Sequence, residues 1–156
     1  MRRGWWIVLL ACLAASPAAA PAQSIQIYSR ETGKSMKQVM DDAEFAITDH
    51  NFRVVNKLHV GKAIRESGHP HFPDFNIILF CNVNYAREML ELDPDMINFC
   101  PGRIAMRQHG DKVIITAPLF PEHTDNKALN GITEKINALI RQMVDYAGKP
   151  WQPTGR

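Results

Sequence analysis

Phe75-Asn76-Ile77-Ile78-Leu79-Phe80-Cys81-Asn82 runs directly into Val83-Asn84-Tyr85-Ala86-Arg87-Glu88-Met89-Leu90, and this pair of segments decides the fold. The first is a nearly unbroken apolar run of strand length, the pattern of a central strand covered on both faces. The second switches to helical spacing, with Ala86, Met89 and Leu90 on one side. Together they predict a strand–turn–helix unit over residues 75–92, with Cys81 at the joint.

Downstream, Asp93-Pro94 breaks the chain and Cys100-Pro101-Gly102 marks a bend. Arg103–Gln108 and Lys112–Thr116 read as two strands joined by the turn Gln108-His109-Gly110-Asp111. Thr124 or Asp125 is placed to cap a last helix lined by Leu129, Ile132, Ile136, Leu139, Ile140 and Met143 and ended by Gly148. At about 1.5 Å per residue this helix is roughly 33 Å long, enough to cross a sheet. Upstream, Ser24–Arg30 alternates apolar and polar residues as a strand with one wet face does. Ser35-Met36-Lys37-Gln38 is a capping-box pattern that opens a helix through Met36, Val39, Met40, Ala43 and Ile47. Asn51 suits a left-handed stop. Residues 52–60 alternate as a second strand, Lys62–Ser67 forms a short helical turn ended by Gly68, and the prolines of His69–Asp74 forbid regular structure. The order predicts a single-domain α+β two-layer sandwich: a mixed, mostly antiparallel sheet of about five strands with helices packed on one face. The face left open would invite self-pairing.

The 156 residues suffice for one domain with a real core and are too few for two ordinary ones. Residues 1–22 form a separate unit: basic Met1-Arg2-Arg3, an apolar run from Trp5 to Ala15, then small residues through Ala22. That is the layout of a secretory signal, and the run is too short to span a membrane. Ala20-Pro21-Ala22 places the cut after Ala22, making the mature protein periplasmic or secreted. Lipid attachment at Cys12 is the rival, and the one route to a membrane. The tail from Lys149 to Arg156 is expected to be loose. Residues 1–22 carry two arginines and no acids, so the formal charge of +2 becomes +2 − 2 = 0 after cleavage. A neutral domain has no field for phosphate backbones, and nucleic acid is set aside as a partner.

Asn51-Phe52-Arg53-Val54, Gly61-Lys62-Ala63-Ile64-Arg65-Glu66, Phe80-Cys81-Asn82, Leu92-Asp93-Pro94-Asp95 and Pro101-Gly102-Arg103-Ile104-Ala105 follow one another in that order. In this the chain resembles the bacterial domain of unknown function 302 family over roughly residues 24–147. The resemblance implies a compact α+β domain, often secreted and often dimeric, with no agreed activity. The family pattern has a Cys-Asn-Pro turn and a later Pro-Cys. Here Val83 stands in place of that proline, and Cys100 precedes Pro101, which puts a paired role for the thiols in doubt.

Cys81 carries the sharpest chemical reading. A thiol between a core strand and a helix start sits near the helix's positive end, which favours the thiolate, and so a nucleophile or soft-metal ligand. Its bland counterpart is a buried cysteine acting as a small apolar residue. Cys100 and Asn82 are the companion candidates. If the strand that Cys81 ends and the strand that Cys100 precedes were parallel neighbours, the thiols would lie roughly 20 Å apart, against the ~7 Å between Cα atoms that a disulfide tolerates. Only an antiparallel return or a doubling-back through Asp95–Phe99 would join them. His69, His71 and Asp74 are candidate metal ligands, although Pro70 favours polyproline geometry, in which a two-residue step changes side. Arg103 and Arg107 share a strand face and are candidates for an anion. The methionines read as core packing, and His59 and His109 as surface or turn residues. Motifs for attached haem, zinc hydrolysis, a serine nucleophile and a phosphate loop are missing. Two function classes stay open: an exported, non-catalytic binding or accessory domain that self-associates, and a thiol-dependent redox, soft-metal or haem protein centred on Cys81. The first is preferred, with no cofactor expected.

Overall fold

The computed structural model describes residues 25–150. The segment expected to be a secretory signal, the expected cut after Ala22, Cys12 and the last six residues of the expected tail lie outside the described residues. The elements are β1 (Ile27–Thr32), α1 (Met36–Asp49), β2 (Arg53–Leu58), α2 (Val60–Glu66), β3 (Phe75–Cys81), α3 (Val83–Leu92), a 3-10 helix (Pro94–Phe99), β4 (Gly102–His109), β5 (Lys112–Pro118) and α4 (Lys127–Gly148). They build the expected two-layer α+β sandwich, one sheet with helices on one face.

The sheet order is β1-β5-β4-β3-β2, and every neighbouring pair is antiparallel. The expectation of a mixed sheet is therefore corrected. The reason lies after α3: Asp93 accepts a hydrogen bond from the Asp95 N–H at 2.9 Å, and Pro94 starts the 3-10 helix. This extra turn carries the chain back, so β4 begins at the end of the sheet where β3 stops. A second correction concerns β3. Its buried residues Asn76, Ile78 and Phe80 alternate with half-buried Phe75, Ile77 and Leu79, so helices cover one face and not both.

The covered face supplies Ile78, Phe80, Ile104, Met106, Val113, Ile115 and Ala117 to the core. Facing them are Val39, Ala43 and Ile47 of α1 and Ile136, Ile140, Met143 and Val144 of α4. Each fully buried Ile or Met contributes about 1.5–3 kcal/mol. Ion pairs such as Lys37–Asp41 are exposed and screened by solvent, so the interlayer core dominates stability. Among the described residues no helix is long and apolar enough to cross a membrane.

Local signals act as their chemistry dictates. Ser35 Oγ accepts from the Gln38 N–H at 3.3 Å while Gln38 Oε1 accepts from the Ser35 N–H at 3.1 Å, completing the capping box. Asn51 adopts φ 61°, and Gly110, at φ 62°, opens the two-residue β4–β5 turn, where a first central glycine suits a II′ geometry. The N-cap of α4 is Asn126, not Thr124 or Asp125. Thr124 instead donates to Asn130 Oδ1 at 2.7 Å, bracing the loop ahead of the helix.

Candidate functional site

The site forms where β3 hands over to α3. Asn82 is the N-cap of α3: its Oδ1 accepts from the N–H groups of Asn84 (3.0 Å) and Tyr85 (3.3 Å). Its Nδ2 donates to the Asn51 carbonyl at 3.0 Å, tying the start of α3 to the left-handed turn after α1. Cys81, the residue before this cap, thus sits at a rigid corner next to the positive end of a helix dipole.

Antiparallel pairing sets Phe80 opposite Gly102. The segment before Gly102 therefore runs past the end of β3, and Cys81 Sγ and Cys100 Sγ lie 3.8 Å apart, both as half-buried free thiols. The separation of roughly 20 Å reasoned from parallel strands is overturned, because the chain doubles back through residues 94–99 and the strands are antiparallel. Gly102 is required here: a Cβ at this position would lie 2.8 Å from the Phe80 ring, which walls the thiols. Around them is a cleft of about 20 Å³ lined by Phe52, Phe80, Tyr85, Met89, Phe120 and Ile136, room for about one water molecule. Phe52 meets Phe80 edge-on at 5.5 Å and stacks with Tyr85 at 5.9 Å, fixing this apolar wall.

The two sulfurs are not equivalent. Burial, a hydrogen bond to Cys81 and the Cys81 charge push the Cys100 thiol up to about 11. Cys100 therefore keeps its proton across the physiological range. Chemically, the arrangement can close to a disulfide, accept a thiol adduct at Cys81 or hold a soft ion between two sulfurs.

The remaining candidates lie elsewhere. His69 and His71 are exposed in the loop before β3, and Asp74 is engaged by Arg65 at 2.8 Å. Among the described residues, no group of three or more His, Cys, Asp or Glu is placed to hold a metal ion, so these three do not assemble as ligands. Arg103 and Arg107 project from β4 on the open face, opposite Leu79 and Phe75, and neither makes a salt bridge among the described residues. One feature escaped the sequence reading: buried Asn76, in the middle of an apolar strand, holds His59 through a 2.7 Å contact between Oδ1 and Nδ1. An Asn at a core-facing position of such a strand was the available signal.

A two-layer α+β domain with a paired thiol at a strand–helix corner is the class that fold and site define. The family model for the domain of unknown function DUF302 matches residues 28–147, and the chain belongs to this family. It is similar in structure to an uncharacterized conserved DUF302 protein from Bacillus stearothermophilus. The TM-score is 0.70 at 19% identity, covering 79% of this chain and 98% of the other. At that identity the likeness bears on the fold alone. No curated protein matches the chain.

Proposed function

We propose that this is an exported accessory domain that works through the Cys81–Cys100 pair, cycling between dithiol and disulfide. The observation that carries the reading is the 3.8 Å separation of the sulfurs. Bond formation at about 2.0 Å asks only for side-chain rotation and a small backbone adjustment. The N-terminal basic–apolar–small layout supports export to a compartment where such bonds persist.

The step balances against an acceptor disulfide. The Cys81 thiolate attacks one acceptor sulfur, forming a mixed disulfide and expelling the first thiolate. Two of the three causes that hold the Cys100 proton, the hydrogen bond to Cys81 and the Cys81 charge, then vanish. Cys100 ionises more readily, attacks Cys81 Sγ and releases the second thiolate. Two thiols lose two protons and two electrons, and the acceptor leaves as two thiols. Treating the reduced protein with oxidised glutathione, followed by acid quench and mass spectrometry, tests the assignment. Wild type loses two hydrogens, Cys100→Ser accumulates a glutathione adduct at Cys81, and Cys81→Ser stays unmodified. A wild type that remains dithiol, or an adduct on Cys81→Ser as fast as on Cys100→Ser, removes the proposal.

Self-association belongs to the same reading and rests on the open sheet face. Across the strands Leu58, Ile77, Ala105 and Thr116 form one continuous row, with Phe75, Leu79 and Ile114 beside it. Leu58 is 39% exposed and Ile27 at the far edge 57% exposed, leaving apolar area for a second copy. Sedimentation of the mature protein is expected to show a dimer that Ile77→Glu converts to monomer. A monomeric wild type at high micromolar concentration would end that part of the reading.

A further inference from the structure

The cleft between α1 and α2 holds a set of donor atoms that the thiol chemistry does not use. Its volume is about 390 Å³, within the range of ligand sites, and Met36, Met40, His59 and Asn76 line it together. Met36 and Met40 are one helical turn apart on α1, so their side chains share a face. His59 precedes α2, where its side chain makes no capping bond. Asn76 Oδ1 lies 2.7 Å from His59 Nδ1, and Asn76 is only 6% exposed. The amide oxygen accepts, so Nδ1 carries the proton and Nε2 keeps its lone pair free for a ligand.

The buried Asn76 amide fixes one tautomer of the exposed His59, the kind of orienting hydrogen bond that metal-ligating imidazoles receive from an outer partner. An Asn at a core-facing position is costly unless its polar groups are hydrogen-bonded, and here the Asn76 side-chain oxygen is held by His59. The donor set is one imidazole nitrogen and two thioethers, all neutral and two of them soft. Hard divalent ions want oxygen ligands; thioether sulfur selects copper(I) and its d10 relatives. The lining carboxylates are already paired with cations, so selection rests on the neutral soft donors and not on charge. Lys37, Lys57 and Arg65 at the cleft are each paired with a lining carboxylate, Asp41, Glu44 and Asp74. Lys62 is the one lining cation without such a partner; it reaches Glu66 at 3.8 Å on the exposed side.

We infer that Met36, Met40 and His59 form a binding site for a soft monovalent cation of the copper(I) class, held in place by Asn76. This site is independent of the thiol pair. The test therefore starts from the Cys81→Ser/Cys100→Ser double variant, which removes the competing sulfurs, and titrates silver(I) or copper(I) against a chromophoric chelator. One equivalent is expected to bind. Replacing Met36 and Met40 by Leu nearly conserves volume, keeps their packing on the core and deletes both sulfurs. Affinity should fall by at least the roughly 10-fold that loss of an outer-shell partner costs. His59→Gln should do the same. Methionine methyl NMR of the unaltered protein gives a second readout that needs no cysteine variant. With excess silver(I), Met36 and Met40 shift while buried Met106 and Met143, which do not line the thiol cleft, hold still. A double-Ser variant that takes up no metal, an affinity unchanged by the two leucines, or methyl signals of Met36 and Met40 that ignore silver(I) each overturns the site. The thiol proposal is untouched by these outcomes, since it is read by glutathione exchange alone.

Discussion

Oxidation of Cys81 and Cys100 is expected to raise the midpoint of thermal unfolding by roughly 10 °C. The two cysteines are 19 positions apart, so the bond closes a loop of that size in the unfolded chain. Loop-closure entropy for such a loop contributes about 3 kcal/mol. For a domain of this length each kcal/mol moves the midpoint by about 3–4 °C. The loop holds α3 and the 3-10 helix, the segment that makes the sheet antiparallel at this point. Restricting it in the unfolded state therefore biases the one connection on which β3–β4 pairing depends. Calorimetry on oxidised and fully reduced samples checks the value, and Cys100→Ser must abolish the difference. An equal midpoint for both redox forms would mean that native strain consumes the entropic gain, leaving no preference for the closed state.

The reduced form carries a pH signature of its own. Cys100 is raised in the folded protein from an ordinary value of 9.0 to about 11, chiefly by burial. The folded state thus holds this proton more tightly than the unfolded chain does. The stabilisation is fully present below about pH 9 and is lost as pH climbs from about 9 to about 11. Alkylation of Cys100 in the folded protein should keep climbing with pH up to about 11, whereas a free thiol levels off near its ordinary value of 9.0.

The architecture was legible because its signals are local. The Phe75–Cys81 run, the Ser35–Gln38 box and the Asn51 stop each act through neighbours a few residues away, and all three appear in the structure as read. Cys81 at the strand–helix corner followed from the same logic. Its partner did not. Whether Cys100 meets Cys81 depends on the direction of β4 relative to β3, which a 3-10 turn of six residues sets, and its apolar spacing differs little from that of a loop. The open face of β3 was misread for a related reason: half-exposed Phe75, Ile77 and Leu79 look in sequence like buried ones. His59 shows the limit most clearly. Nothing near it in sequence announces Asn76, 17 positions on, and only the β2–β3 register brings them together.

Replacing Asn137 by Ala should destabilise the protein by roughly 2–5 kcal/mol, because it leaves buried polar groups without partners at about 1–3 kcal/mol each. Asn137 lies in α4 and is 1% exposed. Its Oδ1 accepts from the Phe120 N–H at 2.8 Å, and its Nδ2 donates to the Phe120 carbonyl at 2.9 Å and to Glu122 Oε1 at 2.7 Å. One amide thus stands in for the strand partner that Phe120 lacks after β5 ends at Pro118. Phe120 also lines the thiol cleft and packs against Phe99, at 5.9 Å between ring centroids, just before Cys100. Loosening this clamp should therefore quicken alkylation of Cys100 as well as lower stability. Asn137→Asp separates the hydrogen bonds from the packing: it conserves shape, keeps an acceptor for the Phe120 N–H, and turns the donor into an oxygen facing a carbonyl and a carboxylate. Chemical denaturation should find Asp at least as costly as Ala. An aspartate variant as stable as the wild type would show that volume alone holds this loop, and the link from α4 to the cleft would fail.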